Sequence, residues 1–368
     1  MKGRGHQKFA DELARFAVGH ADPRVTAIAR RTGAPLRVGV RGRRGVGCGT
    51  VARALARAGG PRGVLVQSEG QTGPQTGGAA PVDVVVYVTA EVIKPEDTAA
   101  IAAAGHPLVA VLNKADLSGH ADWSSGGPCA AAHRRCAELS SLAGVPMEPM
   151  IGLLAVAALT DLDGASWQGL RTLATTPGGS ACLDGSHSDF LAADNPVASD
   201  LRLRLLDTLD LFGVALGMAA LRRGRTPAQV RSLLRLMSGV DAVLDGISAA
   251  GAAARYQRVL DAVADLEALA VGDESISGFL SGDAAVLARM AAAVDLAEAA
   301  GLEEACSADG AGGAGRDDPA THLSRAVRWQ RYSHGSVSQA RRASGADIAR
   351  GSLRLWSRAR ETRLGERR

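Results

Sequence analysis

Leu108-Val109-Ala110-Val111-Leu112-Asn113-Lys114-Ala115-Asp116-Leu117 is an apolar run that breaks into Asn-Lys-x-Asp. Consecutive apolar residues from Leu108 to Leu112 fit a parallel strand covered on both faces. Ligands of open α/β sheets sit beyond the carboxyl ends of such strands. Only Lys2, Lys8, Lys94 and Lys114 of the 42 basic residues are lysine, so Lys114 stands out in a chain that otherwise uses arginine.

The polar turn has a chemistry of its own. The Asp116 carboxylate can accept from both the N1 and N2 donors of guanine, a pattern adenine does not offer, and a bidentate pair discriminates by roughly 1–3 kcal/mol. Asn113 would tie the base edge to neighbouring loops, and the aliphatic stem of Lys114 would cover the base plane. The plain alternative is a charged strand-to-helix turn with Asp116 as a helix cap.

Upstream, Leu36–Val40 reads as a first strand, Arg41 to Thr50 as a Gly-rich loop, and Val51–Arg57 as a helix. Strand, Gly-rich loop and helix is the order in which a phosphate is held at a helix N-terminus. A phosphate loop follows GxxxxGK[ST], with the lysine on the β/γ oxygens and the hydroxyl on magnesium. Gly42 and Gly47 have that separation, and Arg43, Arg44 and Gly45 fill the interval. Cys48 then stands for the lysine and Gly49 for the hydroxyl residue, with Thr50 one place late. A charge-assisted hydrogen bond of roughly 1.5–3 kcal/mol is lost with the lysine. Arg41, Arg43 and Arg44 offer charge from a different direction, but a planar guanidinium does not replace a point charge in a tight loop. The alternative is a close-packed βα turn that binds nothing. A Rossmann GxGxxG finds no clean match.

Strands are also expected at 63–67, 82–88 and 145–151, with helices beginning near Lys94-Pro95-Glu96-Asp97, over 128–143 and over 167–174. Alternating elements over 36–175 imply an α/β, doubly wound, mostly parallel sheet. The expected organisation is N-terminal helices over 1–35, able to pack across the sheet, the sheet domain over 36–177 and a linker over 178–194. A helical bundle over 195–306 follows, with helices at 196–223, 227–246, 252–270 and 283–301. A flexible joint at 307–320 and a basic helical tail at 321–368 complete the chain. The tail holds twelve arginines against Asp347, Glu361 and Glu366, so it is basic and the remainder slightly acidic. Arg350, Arg354 and Arg358 form a stripe suited to anionic lipid, or to a solvated face packed on the bundle.

Five scattered cysteines argue against a disulfide framework, and the absence of an 18-residue apolar run leads to the expectation of a cytoplasmic, at most membrane-peripheral protein. Cys129, His133 and Cys136 share a helix face but lack a fourth ligand for zinc. Cys48 beside arginines at a helix N-terminus could be redox-sensitive. Nucleic-acid modules are absent, so no nucleic acid is expected as a partner.

Together, Gly42-x-x-Gly45-x-Gly47, the strand Val82-Asp83-Val84-Val85-Val86-Tyr87-Val88 with Lys94-Pro95-Glu96-Asp97 after it, and Val111-Leu112-Asn113-Lys114-Ala115-Asp116-Leu117 resemble the P-loop, translation-factor-like GTPases of the Ras, Era and dynamin class. The helical part is similar in character to bacterial dynamin-related proteins. The resemblance implies GTP or GDP with magnesium, phosphates held by Gly42, Arg43, Arg44, Gly45, Gly47, Cys48, Gly49 and Thr50, and guanine held by Asn113, Lys114 and Asp116. Coupled to such a domain, the helical part is expected to carry nucleotide state to a protein partner or a membrane contact. The family's switch Thr and D-x-x-G are not found; Ser68-Glu69-Gly70 lacks the Asp, and Met150-Ile151-Gly152 replaces the base-supporting S-A-[KL]. A base reader without the hydrolytic parts reads as a pseudo-GTPase, with no catalytic residue and no metal ligand assigned. A nucleotide-free scaffold and an active GTPase using Thr50 and an arginine are the alternatives.

Overall fold

The computed structural model describes residues 5–68, 82–119, 127–176, 186–302, 319–335 and 338–365. Two compact units emerge, one of Leu36–Ile247 and one of Met1–Pro35 with Ser248–Arg368.

In chain order the helices are α1 (Gly5–His20), α2 (Pro23–Thr32), α3 (Cys48–Gly59), α4 (Pro95–Ala102), α5 (Gly127–Ala143), α6 (Gly152–Leu159), α7 (Gly164–Thr175) and α8 (His187–Ala192). They continue with α9 (Ser199–Arg222), α10 (Pro227–Met237), α11 (Val240–Ala250), α12 (Ala252–Ala270), α13 (Glu274–Ser281), α14 (Asp283–Ala299), α15 (Pro319–Ser333) and α16 (Gln339–Gly365). The strands are β1 (Leu36–Gly42), β2 (Val64–Ser68), β3 (Val84–Thr89), β4 (Leu108–Asn113) and β5 (Met147–Met150).

All five strands are parallel, in the order β2-β1-β3-β4-β5. The α/β expectation for this region therefore holds. Every residue of β3 is buried, as a continuous Val-rich run in the middle of a parallel sheet requires. Pro149, which has no N–H to give, falls in β5, a sheet edge that pairs only with β4. β4 carries helices on both faces. Ala110 and Leu112 join Cys136 and Leu139 of α5 in one cluster, while a side chain at Gly246 of α11 would meet Val109 at 3.4 Å.

The helices after the sheet divide differently from a single bundle over 195–306. Helices α9 and α10 stay in the sheet's unit, where Leu205, Leu209, Val214 and Leu234 share a core with Leu154, Leu170 and Leu173. The helix expected over 227–246 breaks at Ser238-Gly239 because that break caps the sheet edge. The Ile151 N–H donates to the Ser238 carbonyl at 2.9 Å, and a Cβ at Gly239 (φ +73°) would lie 2.3 Å from the Pro149 carbonyl oxygen. The helix over 196–223 is interrupted at Asp210 (φ 58°, ψ 174°). Helices α6, α8 and α13 were not anticipated, and α8 lies within the stretch read as a linker.

The N-terminal helices do not join the sheet's unit. Phe9 and Leu13 of α1 and Val25 and Ile28 of α2 belong to the core of the second unit, with Tyr256, Leu266, Leu296, Trp329 and Ile348. Helices α1 and α14 approach so closely that a Cβ at Gly5 would sit 2.1 Å from the Ala291 carbonyl. In the same unit Asp347, 3% exposed, accepts from the Tyr256 hydroxyl at 2.8 Å, from Arg289 at 2.7 Å and from Arg350 at 3.1 Å. Arg354 and Arg358 both pair with Asp283, so the arginine stripe of the tail is engaged within its own unit. Glu69 and Gly70, Gly178–Gly185 and Ala308–Asp318 lie outside the described residues.

Candidate functional site

At the carboxyl edge of the sheet, the strand order reverses direction between β1 and β3, which is where ligands of doubly wound sheets bind. The loop after β1 and the turn after β4 both open onto this edge.

The loop is shorter than the Gly-rich sequence suggested. Cys48, Gly49 and Thr50 form the first turn of α3 rather than loop, leaving Arg43–Gly47 as the connection. Its glycines have distinct reasons. A Cβ at Gly42 would lie 2.3 Å from the Val88 carbonyl oxygen and 2.9 Å from the Cys48 sulfur; Gly47, at φ +89°, would strike the Asn113 amide nitrogen at 2.4 Å. Gly45 shares φ +89° but faces open space. Gly47 is the N-cap of α3 and supplies no side-chain cap; its carbonyl accepts from the Thr50 and Val51 N–H groups at 3.0 Å each, and the helix N-terminus that follows is the end of a helix that attracts an anion.

Asn113 is the junction between loop and turn. It is 3% exposed, donates from Nδ2 to the Val46 carbonyl at 2.8 Å, and accepts from the Gly152 N–H at 2.9 Å. One carbonyl and one N–H partner admit a single orientation of the amide. The sequence had Asn113 tie a base edge to neighbouring loops; the structure shows its bond to one such loop at Val46, and Gly152, its second partner, was missed. A Cβ at Gly152 would lie 2.9 Å from Asn113 Oδ1, so the residue that departs from S-A-[KL] is the one the amide demands. Lys114 adopts φ 56° and is exposed, and Asp116 stands half-buried in the short 3-10 turn Ala115–Gly119. Asn113 is thereby brought together with the loop 42–47, and Lys114 and Asp116 follow it directly in the chain.

Other assignments meet obstacles. Arg43 does not turn into the loop. Its Nε donates to both oxygens of Asp97 at 2.8 and 2.9 Å, and Asp97 is completely buried. Burial pushes the Asp97 carboxyl up, but Arg43, the Lys94 N–H and the Tyr87 hydroxyl together outweigh it and hold the group below its usual range. Arg44 is exposed. The Thr50 methyl faces Gly152, 3.4 Å from where a Cβ there would stand. Gly49 has open space around it and no hydroxyl to offer.

The cysteine-histidine face of α5 is spent internally. His133 Nδ1 bonds to the Cys129 carbonyl at 2.7 Å, and Cys136 is 3% exposed in the core, where burial and Glu148 push its thiol up to about 12. Among the described residues no group of three metal-ligating side chains converges, and no helix is long and apolar enough to cross a membrane. No protein-family model matches the chain, and no curated protein matches it in sequence.

Proposed function

We propose that the Leu36–Ile247 unit is a degenerate GTPase-like domain of the P-loop class that binds guanine nucleotide, with weak or no hydrolysis, and that the helical remainder of the chain serves a protein partner. The observation that carries this reading is Asn113, whose amide joins the Val46 carbonyl to the Gly152 N–H. A phosphate loop and a base-reading turn must be held at a fixed separation to grip two ends of one nucleotide. The buried amide supplies that fixity, and a helix cap or solvated turn would need no such link. Asp116 then accepts from the guanine N1 and N2 donors, the Lys114 stem covers the ring, and the N–H groups at the start of α3 meet the phosphates.

Magnesium does not fit the residues present. The position that supplies the metal's hydroxyl in a phosphate loop is Gly49, and the Thr50 methyl is turned toward Gly152, so the start of α3 offers no hydroxyl suited to the metal. With Cys48 in place of the lysine, the loop also lacks the charge that a β/γ bridge needs. Binding with weak or no turnover follows.

A second reading, a nucleotide-free scaffold, is favoured by Arg43, whose charge is committed to Asp97. Calorimetric titration with GDP and ADP, each with and without magnesium, separates the two. The proposal expects GDP binding that is indifferent to magnesium, at least tenfold tighter than ADP and lost in Asp116→Ala. No heat at millimolar GDP would favour the scaffold.

A further inference from the structure

Asp97 is the only fully buried carboxylate among the described residues, and its partners lie on three separate segments. Arg43, in the loop after β1, donates to both oxygens. The Tyr87 hydroxyl, from β3, donates to Oδ1 at 2.9 Å, and the Lys94 N–H, at the start of α4, to Oδ2 at 2.8 Å. The Arg43 guanidinium also reaches the Val92 carbonyl at 3.4 Å. The loop is therefore pinned on two sides, by Asn113 at Val46 and by Asp97 at Arg43.

If a bound phosphate drew Arg43 away, Asp97 would keep only the Tyr87 hydroxyl and the Lys94 N–H, both neutral donors. Breaking a buried pair costs more than one charge-assisted hydrogen bond returns. The pair therefore favours keeping Arg43 on Asp97 over releasing it to an anion. Arg44, next in the chain and exposed, has no such commitment to a buried carboxylate.

We infer that Arg43 is the tether of the loop rather than a phosphate ligand, with Asp97 and Tyr87 as positioning residues, and that Arg44 carries the loop's positive charge to a nucleotide phosphate. The Arg44 assignment rests on the nucleotide reading above; the tether does not.

Hydrogen–deuterium exchange of the full chain without nucleotide tests the tether. Amides of residues 43–47 should exchange about tenfold faster in Arg43→Ala and Asp97→Asn, and at the wild-type rate in Arg44→Ala. Should Asp97→Asn fail to fold, Tyr87→Phe removes one hydroxyl and should raise the same amides by a smaller factor. Unchanged exchange at 43–47 in both Arg43→Ala and Tyr87→Phe overturns the tether. GDP titration then tests the charge assignment: Arg44→Ala should weaken binding about tenfold with the loop's exchange unchanged. Weaker binding in Arg43→Ala with unchanged loop exchange would make Arg43 a ligand and refute the division of roles. A wild-type chain that binds no GDP overturns the Arg44 assignment together with the nucleotide reading, while the exchange result still decides the tether.

Discussion

Replacing Asn113 by alanine tests whether the amide joins the two loops. The change removes a 2.8 Å bond to the Val46 carbonyl and a 2.9 Å bond from the Gly152 N–H. Val46 and Gly152 are both buried, so water does not replace the lost partner at low cost. A buried group left unsatisfied costs about 1–3 kcal/mol; with two such groups and partial relaxation, the expected loss is about 3 kcal/mol. Asn113→Asp is a sharper control. It preserves shape and still accepts from Gly152, yet it sets a carboxylate oxygen against the Val46 carbonyl, so its loss should be at least as large at neutral pH. Because the chain has two compact units, a single unfolding transition is a poor measure. Native-state hydrogen exchange of the amides in β4 and in residues 43–51 isolates the effect. Destabilisation of both segments together is the expected outcome. A change below about 0.5 kcal/mol in Asn113→Ala, within the range of an ordinary surface substitution, would refute the reasoning.

Two further outcomes follow. Gly47→Ala and Gly45→Ala place the same residue at the same φ of +89°, but only the first collides with Asn113, at 2.4 Å. Gly45→Ala should cost about 1 kcal/mol for the strained backbone and Gly47→Ala clearly more, measured by exchange at 43–51; equal costs would contradict the contact. In the helical unit, His6 is 6% exposed, and burial, then Arg255 and Arg258, lower its pKa to about 4. The unfolded chain, with an ordinary histidine, binds the proton first. Stability therefore falls as pH drops through the window from about 6.5 to 4, by about 3 kcal/mol in all. His6→Gln should flatten that segment of the acid-unfolding profile, and an unchanged slope would show that His6 is not its source.

The parts of the fold that were legible are those in which local pattern and burial agree. Val84–Val88 and Leu108–Leu112 are uninterrupted apolar runs, and a doubly covered parallel strand needs nothing else. Asp22-Pro23 and Thr226-Pro227 begin helices as capping chemistry dictates, with Asp22 accepting from the Arg24 N–H and Thr226 from that of Gln229. What escaped depends on distant partners. The break at Gly239 follows from the Pro149 carbonyl 2.3 Å from its would-be Cβ, and helical periodicity over 227–246 carries no trace of it. Placement of α1 and α2 with α12 and α14 is likewise a matter of which apolar stripes meet, which stripes alone do not specify.

The site divides in the same way. Asn113 and the loop glycines could be singled out because each has a chemical reason within its own motif, and the structure brings Asn113 to that loop at Val46. The Arg43–Asp97 pair was not legible because the two residues lie 54 positions apart along the chain. Asp97 itself was visible only as an acidic residue in the first turn of a helix, a position that usually means a cap. Its partner Tyr87, buried within β3, was the available hint, since a tyrosine hydroxyl inside a strand of valines needs an acceptor.

The central claim is that Asp116 reads a guanine ring, and exchanging its hydrogen-bond pattern tests it most directly. Asp116→Asn keeps the size of the side chain but turns one of two acceptors into a donor. The amide then matches xanthine, which offers N1–H as donor and the 2-oxo group as acceptor, and mismatches guanine, whose 2-amino group donates. Titrating wild-type chain and variant with guanosine and xanthosine diphosphates should show the preference reverse, each preferred pair at least tenfold tighter than its mismatch. A variant that binds both nucleotides as the wild-type chain does would contradict the assignment of Asp116 and with it the nucleotide-reading account.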